Sequence, residues 1–94
     1  MEQGNEIDFY DRVKKMIVKV VRLKIPPESI KNTQPLFGAG GVGLDSLDAL
    51  ELVVALEKEF GARIPDADVG RKVLVSVETI VKFIEDNNSG KSPQ

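Results

Sequence analysis

Three stretches of this chain carry apolar residues at three- and four-residue intervals, and turn or helix-breaking residues separate them. That spacing is the signature of amphipathic helices rather than strands. Across residues 7–23, Ile7, Tyr10, Val13, Ile17, Val20 and Val21 share one side and lysines occupy the other. Asp8 or Asp11 near the start and Arg22 or Lys24 near the end suit the helix dipole. Pro26-Pro27 stops this helix, because neither proline donates a backbone hydrogen bond and each disfavours helix in its predecessor. A second helix is predicted over 46–60, with Asp45 as N-cap, Asp48 three residues on in a capping-box-like position, and Gly61 closing it. A third is predicted over 77–86, with Ser76 as N-cap and Val77, Ile80, Val81 and Ile84 facing inward.

The connections are less regular. Residues 25–44 form a long link that carries Ile30, Leu36 and Phe37, apolar anchors that predict an ordered loop rather than a loose one. A short helical segment is expected over 67–72, weakened by Gly70. Val73-Leu74-Val75 has the look of a strand but no partner strand in the sequence. Residues 1–6 and 87–94 are polar. The expected fold is all-α: a small bundle of three main helices plus one short helix, with a long ordered loop between helices one and two.

Ninety-four residues leave room for one hydrophobic core. Aromatic residues are 5% of the chain and tryptophan is absent, so Val, Ile and Leu must build that core. The net charge of −2 does not suggest a nucleic-acid partner, which would call for a basic surface. No apolar run approaches the ~20 residues of a membrane span, and the charged N-terminus lacks a signal-peptide core, so a cytoplasmic protein is expected. Charge is nonetheless uneven. Arg12, Lys14, Lys15, Lys19, Arg22 and Lys24 make the first third basic, whereas Asp45, Asp48, Glu51, Glu57, Glu59, Asp66 and Asp68 outnumber Lys58 and Arg63 further on. Such runs usually mark solvated helix faces.

The second predicted helix carries two apolar stripes. Ala49, Leu52, Val53, Leu56 and Phe60 cluster on one side and suffice for a core. Leu47, Leu50 and Val54 fall on another side, flanked by Glu51 and Glu57. Leu50 is the nearest of these to the core stripe and is expected to pack against the long loop. Leu47 and Val54, rimmed by carboxylates, have the character of a docking surface. Ser46 lies between the stripes at the mouth of the helix.

The chain has neither histidine nor cysteine. Disulfides, thiolate metal sites and thiol nucleophiles are therefore excluded, and a Ser-His-Asp arrangement cannot form. Lys58, the lysine on the same helix, lies more than three turns from Ser46, so a Ser-Lys pair is not expected either. Gly38-Ala39-Gly40-Gly41-Val42-Gly43 satisfies GxGxxG, yet no strand precedes it and the chain is too short for a dinucleotide fold. These glycines are read as a flexible or tightly turned approach to the helix. Asp45, Asp48 and Glu51 form an open arrangement without a closed ligand set, so no specific metal is expected. A serine without a base is a poor nucleophile and a good attachment point.

The segment from Leu44 through Asp45-Ser46-Leu47-Asp48 to Phe60 closely resembles the Asp-Ser-Leu site and recognition helix of acyl carrier proteins, and Gly61-Ala62-Arg63-Ile64-Pro65-Asp66 resembles that family's turn into its third helix. The similarity spans nearly the whole chain: a single carrier domain over 6–88, with 1–5 and 89–94 as flexible termini. The resemblance implies a non-catalytic carrier with 4′-phosphopantetheine covalently attached to Ser46 by a phosphopantetheinyl transferase. Acyl groups would ride on its thiol as thioesters, shuttled between enzymes of fatty-acid or related acyl-chain biosynthesis, with the interior between helices holding the chain. The helix N-terminus would help accommodate the phosphate. It further implies that Asp45, Leu47, Asp48, Leu50, Glu51, Val54 and Glu57 face partners, namely synthases, transferases or ligases with basic docking surfaces, and that the protein is a monomer. A peptidyl or amino-acyl carrier shares the serine chemistry, and a helical protein-binding module using Leu47, Leu50 and Val54 is the alternative from a different class. The glycine-rich loop, Lys58, the basic first helix and a slightly long region over 69–75 depart from the family's common pattern.

Overall fold

The computed structural model describes residues 9–38 and 40–91, with side chains described to residue 87. The described residues form four α-helices and one short 3-10 turn: α1 (Phe9–Val20), the turn (Pro27–Ser29), α2 (Ser46–Phe60), α3 (Ala67–Val73) and α4 (Val77–Lys91). Among them there is no strand, only an isolated parallel bridge between Phe37 and Leu44. The expected all-α bundle is the observed fold. Ile7 and Asp8, assigned above to the first helix, lie outside the described residues.

α1 packs against α2, α4 and the 3-10 turn, while α3 packs against α4. Val13, Met16 and Ile17 on α1 meet Leu52 and Leu56 on α2 and Val77, Ile80, Val81 and Ile84 on α4 in one core. The inward stripe of α1 is rotated slightly from the predicted one. Met16 is buried, and Tyr10 stands 37% exposed at the boundary with water, which suits a ring with a polar tip. Phe9 meets the Phe60 ring edge-on, centroids 5.9 Å apart, and the Arg12 guanidinium lies 4.6 Å over the same ring. These contacts lock the start of α1 to the end of α2.

α1 ends before the prolines reach it. Arg22 takes a left-handed conformation at φ 56°, and the Leu23 N–H donates to Val18 O at 3.1 Å, a Schellman-type closure that usually uses glycine. Replacing Arg22 with glycine removes the left-handed penalty of about 1–2 kcal/mol, offset by roughly 0.4–1 kcal/mol of added unfolded-state freedom. Arg22→Gly is therefore expected to raise stability by about 0.5–1 kcal/mol, visible as a Tm higher by a few degrees in thermal denaturation.

α4 differs at its far end. It runs to Lys91, beyond the predicted end near Asp86. Asn, Ser and Gly each disfavour helix by under about 1 kcal/mol, and no proline intervenes before Pro93, so an established helix propagates through them. Its start is as predicted. Ser76 Oγ accepts from Thr79 N–H at 3.3 Å, and Ser76 N–H donates to Thr79 Oγ1 at 2.9 Å.

The long loop is ordered, and the three anchors hold it. Ile30 and Leu36 are fully buried and Phe37 is half-buried. Two backbone bonds tie the loop to the α3–α4 link and the first turn of α4: Leu36 N–H donates to Val75 O, and Glu78 N–H to Asn32 O, both at 2.9 Å. The strand-like Val73-Leu74-Val75 run thus ends α3 and receives the loop.

Candidate functional site

The glycine-rich segment is tightly turned. It folds back over Pro35 and Leu36: Val42 N–H donates to Pro35 O at 3.0 Å, and Gly43 and Leu44 N–H both donate to Leu36 O, at 3.2 and 3.0 Å. Gly43, at φ 97°, then releases the chain into Leu44, which is buried, and Asp45. The GxGxxG pattern is thus a loop braced on another loop, without the strand and βαβ unit that a dinucleotide site requires.

Asp45 caps α2. Its Oδ1 accepts from Leu47 N–H at 3.1 Å and Asp48 N–H at 3.0 Å, and Asp48 Oδ2 accepts from Asp45 N–H at 3.0 Å. The capping box expected from the sequence is complete. At the other end Gly61 sits at φ 68°, its N–H donating to Glu57 O at 3.0 Å.

Because Asp45 fills the cap, Ser46 does not. It is the first residue of α2 and is exposed, and among the described residues its hydroxyl has no hydrogen-bond partner. The nearest thing to a structural duty for this serine, holding the helix start, belongs to its neighbour.

Ser46 stands on the wall of a mostly apolar cleft of about 820 Å³ between α2 and α3. Ala49, Leu50 and Val53 line it from α2, Ala67, Gly70 and Arg71 from α3, and Phe37, Ile64 and Leu74 close it. Gly70 is buried on α3, and a Cβ there would sit 3.6 Å from Ile64 Cγ2, ordinary contact. The glycine is therefore not forced by sterics; its effect is to leave the cleft wider. Leu50 departs from expectation. It is 60% exposed on the wall of the cleft, which Pro35 and Phe37 of the loop line with it, rather than packed beneath the loop.

Leu47 and Val54 are 65% and 53% exposed, as a docking surface requires. Asp45, Glu51 and Glu57 are exposed beside them, and Asp48, which accepts from the Asp45 amide, is half-buried. The seven residues singled out with Ser46 therefore lie along α2 and its cap. One feature of this face was not legible in the local sequence: a second, shallower groove between α1 and α2 brings Lys19 together with Val54, Glu51 and Lys58. The acidic face thus ends at a pair of lysines. Among the described residues no group of three or more carboxylates is arranged to hold a metal ion.

The residues present fit a covalently attached phosphate-linked group. The hydroxyl is exposed and unengaged, and an apolar cleft opens beside it. The amides of Leu47 and Asp48 are already taken by Asp45, so the helix N-terminus offers less to a phosphate than an uncapped one would.

The family profile described as "Phosphopantetheine attachment site" matches residues 11–84. The chain is 33% identical over 85 residues to the acyl carrier protein of Campylobacter hominis, covering 90% of this chain and 100% of that one. It is 38% identical over 77 residues to the acyl carrier protein of Campylobacter lari, covering 82% and 92%. With the acyl carrier protein of Afipia carboxidovorans it shares 42% identity over 77 residues, covering 82% and 90%.

Proposed function

This chain belongs to the acyl carrier protein family, and on that premise we propose that it holds acyl intermediates as thioesters on a 4′-phosphopantetheine arm attached to Ser46. It is a carrier rather than an enzyme, and phosphopantetheine is the family's prosthetic group. When bound, that group supplies the thiol that a chain without cysteine lacks. The observation that carries the reading is the Ser46 hydroxyl, exposed, relieved of capping by Asp45, and set on the wall of an apolar cleft.

The cleft supports acyl cargo over peptidyl or amino-acyl cargo. Phe37, Ala49, Leu50, Val53, Ile64 and Leu74 give it apolar walls, and each methylene removed from water there is stabilised by roughly 0.8 kcal/mol. Partner choice is assigned to Leu47, Leu50 and Val54 with Asp45, Asp48, Glu51 and Glu57. Three exposed apolar side chains among carboxylates suit enzymes that present basic docking surfaces. The partners are a phosphopantetheinyl transferase and the synthases, transferases or ligases of fatty-acid or related acyl-chain biosynthesis. The protein works as a monomer in the cytoplasm. No helix among the described residues is long and apolar enough to cross a membrane.

Loading tests this reading. Protein carrying the arm is offered fatty-acyl and amino-acyl donors in parallel, and intact mass is followed before and after neutral hydroxylamine, which cleaves thioesters. The expected result is a fatty-acyl mass gain that hydroxylamine removes. Preferential amino-acyl loading, or a gain resistant to hydroxylamine, would contradict it.

A further inference from the structure

A phosphodiester on Ser46 would bring negative charge into a setting that is already acidic. Asp45 and Asp48 flank the serine, and Asp66 lines the same cleft. The amides of the first turn of α2 offset this only in part, because Asp45 Oδ1 already holds the Leu47 and Asp48 N–H groups. Among the described residues that line the cleft with Ser46, one is a cation, Arg71 on α3.

Arg71 is poorly committed elsewhere. Its Nη1 donates to Asp68 Oδ1 at 2.9 Å, but the two side chains are 73% and 84% exposed. An exposed pair of this kind contributes little, so exchanging Asp68 for a better partner is easy. A guanidinium matches phosphate oxygens in a two-pronged geometry that a lysine ammonium does not reproduce. Asp66 does not compete for it in the same way, since its Oδ1 accepts from Val69 N–H at 3.0 Å at the start of α3.

We infer that Arg71 binds the phosphodiester of the arm, tying the root of the arm to α3 across the mouth of the cleft. This rests on the attachment of the arm to Ser46. Arg71 thereby supplies the countercharge that the capped helix withholds, and it biases the arm toward the cleft rather than into solvent.

The test uses wild type, R71K and R71Q, each treated with a phosphopantetheinyl transferase and coenzyme A and checked by intact mass for one arm per chain. Two signals are then read: the phosphorus-31 resonance of the arm and, in wild type, the Nε–Hε resonance of Arg71 before and after loading. The expected result is a shift of the Arg71 resonance on loading. The phosphorus resonance of R71Q is expected to be displaced from that of wild type, with R71K between them. One arm per chain with an unmoved Arg71 resonance and identical phosphorus resonances in all three proteins would overturn this inference alone. An Arg71 shift that arises only after a carboxylate-bearing cargo is loaded would overturn it too, reassigning Arg71 to cargo. Absence of the added mass in wild type would overturn the attachment reading, and this inference with it.

Discussion

Ser46→Ala is expected to fold as wild type does and to lose all capacity to accept the arm. The two halves of that expectation come from different neighbours. The α2 N-terminus is held by Asp45, whose carboxylate accepts from Leu47 and Asp48 N–H, so deleting an exposed, unpartnered hydroxyl at the next position should leave stability within about 0.5 kcal/mol. Asp45→Ala is the converse. It removes the cap and is expected to lower stability by about 1–2 kcal/mol, while keeping the hydroxyl that the arm needs. Melting temperature and arm addition, measured together on both variants, separate a serine that is modified from a serine that merely starts a helix. A Ser46→Ala protein that melted far below wild type would return Ser46 to a structural role.

Gly41→Ala carries the largest expected loss of stability. A Cβ at Gly41 would lie 2.4 Å from Pro35 O and 3.1 Å from Phe37 O. Both obstacles are backbone, in a segment tied down by Leu36 N–H donating to Val75 O, so neither yields as the tip of a side chain would. Overpacking of this kind costs about 3 kcal/mol, or a Tm lower by roughly 12–24 °C for a domain of this size. Gly40→Ala is the control. Gly40 has φ +80° and nothing within 4 Å of a built Cβ, so only the left-handed penalty of about 1–2 kcal/mol applies. Equal losses at the two positions would mean that the loop is not braced on Pro35 as described.

What could be read from the chain, and what could not, divides by the range of the interaction. The caps of α2 and α4 are local: Asp45 with Asp48, and Ser76 with Thr79, satisfy backbone groups within three residues, and the first pair and Ser76 were legible for that reason. The serine at the helix start and the exposed Leu47 and Val54 follow from helical periodicity alone. Arg22 is different. Nothing in its side chain advertises a left-handed conformation; the helix ends there because Val21 and Leu23 pack against the core on either side of it. Leu50 was legible as part of the exposed face but not as a wall of the cleft, because the cleft forms only where the loop and α3 come up beside α2. The approach of Lys19 to Val54 depends on how α1 packs against α2, which spacing within one helix does not encode. The composition of the glycine segment predicted a tight turn, but the singular role of Gly41 within it arises from Pro35, which the chain brings close only in the folded state.

The same division applies to the site. Ser46 and its acidic neighbours are contiguous in sequence and were legible as a unit. The cleft beside them is assembled from α2, α3 and the loop, and Arg71 joins it from the helix that follows α2. A single sequence marks where an arm would be attached more readily than what would hold it.

Attachment of the arm at Ser46 is tested by peptide-level mass spectrometry. Wild type and Ser46→Ala are incubated with a phosphopantetheinyl transferase and coenzyme A, digested, and searched for the added phosphopantetheine mass. The predicted result is one addition, on the wild-type peptide that contains Ser46, and none on Ser46→Ala. An unmodified wild type, or an addition on another serine that survives Ser46→Ala, would contradict it.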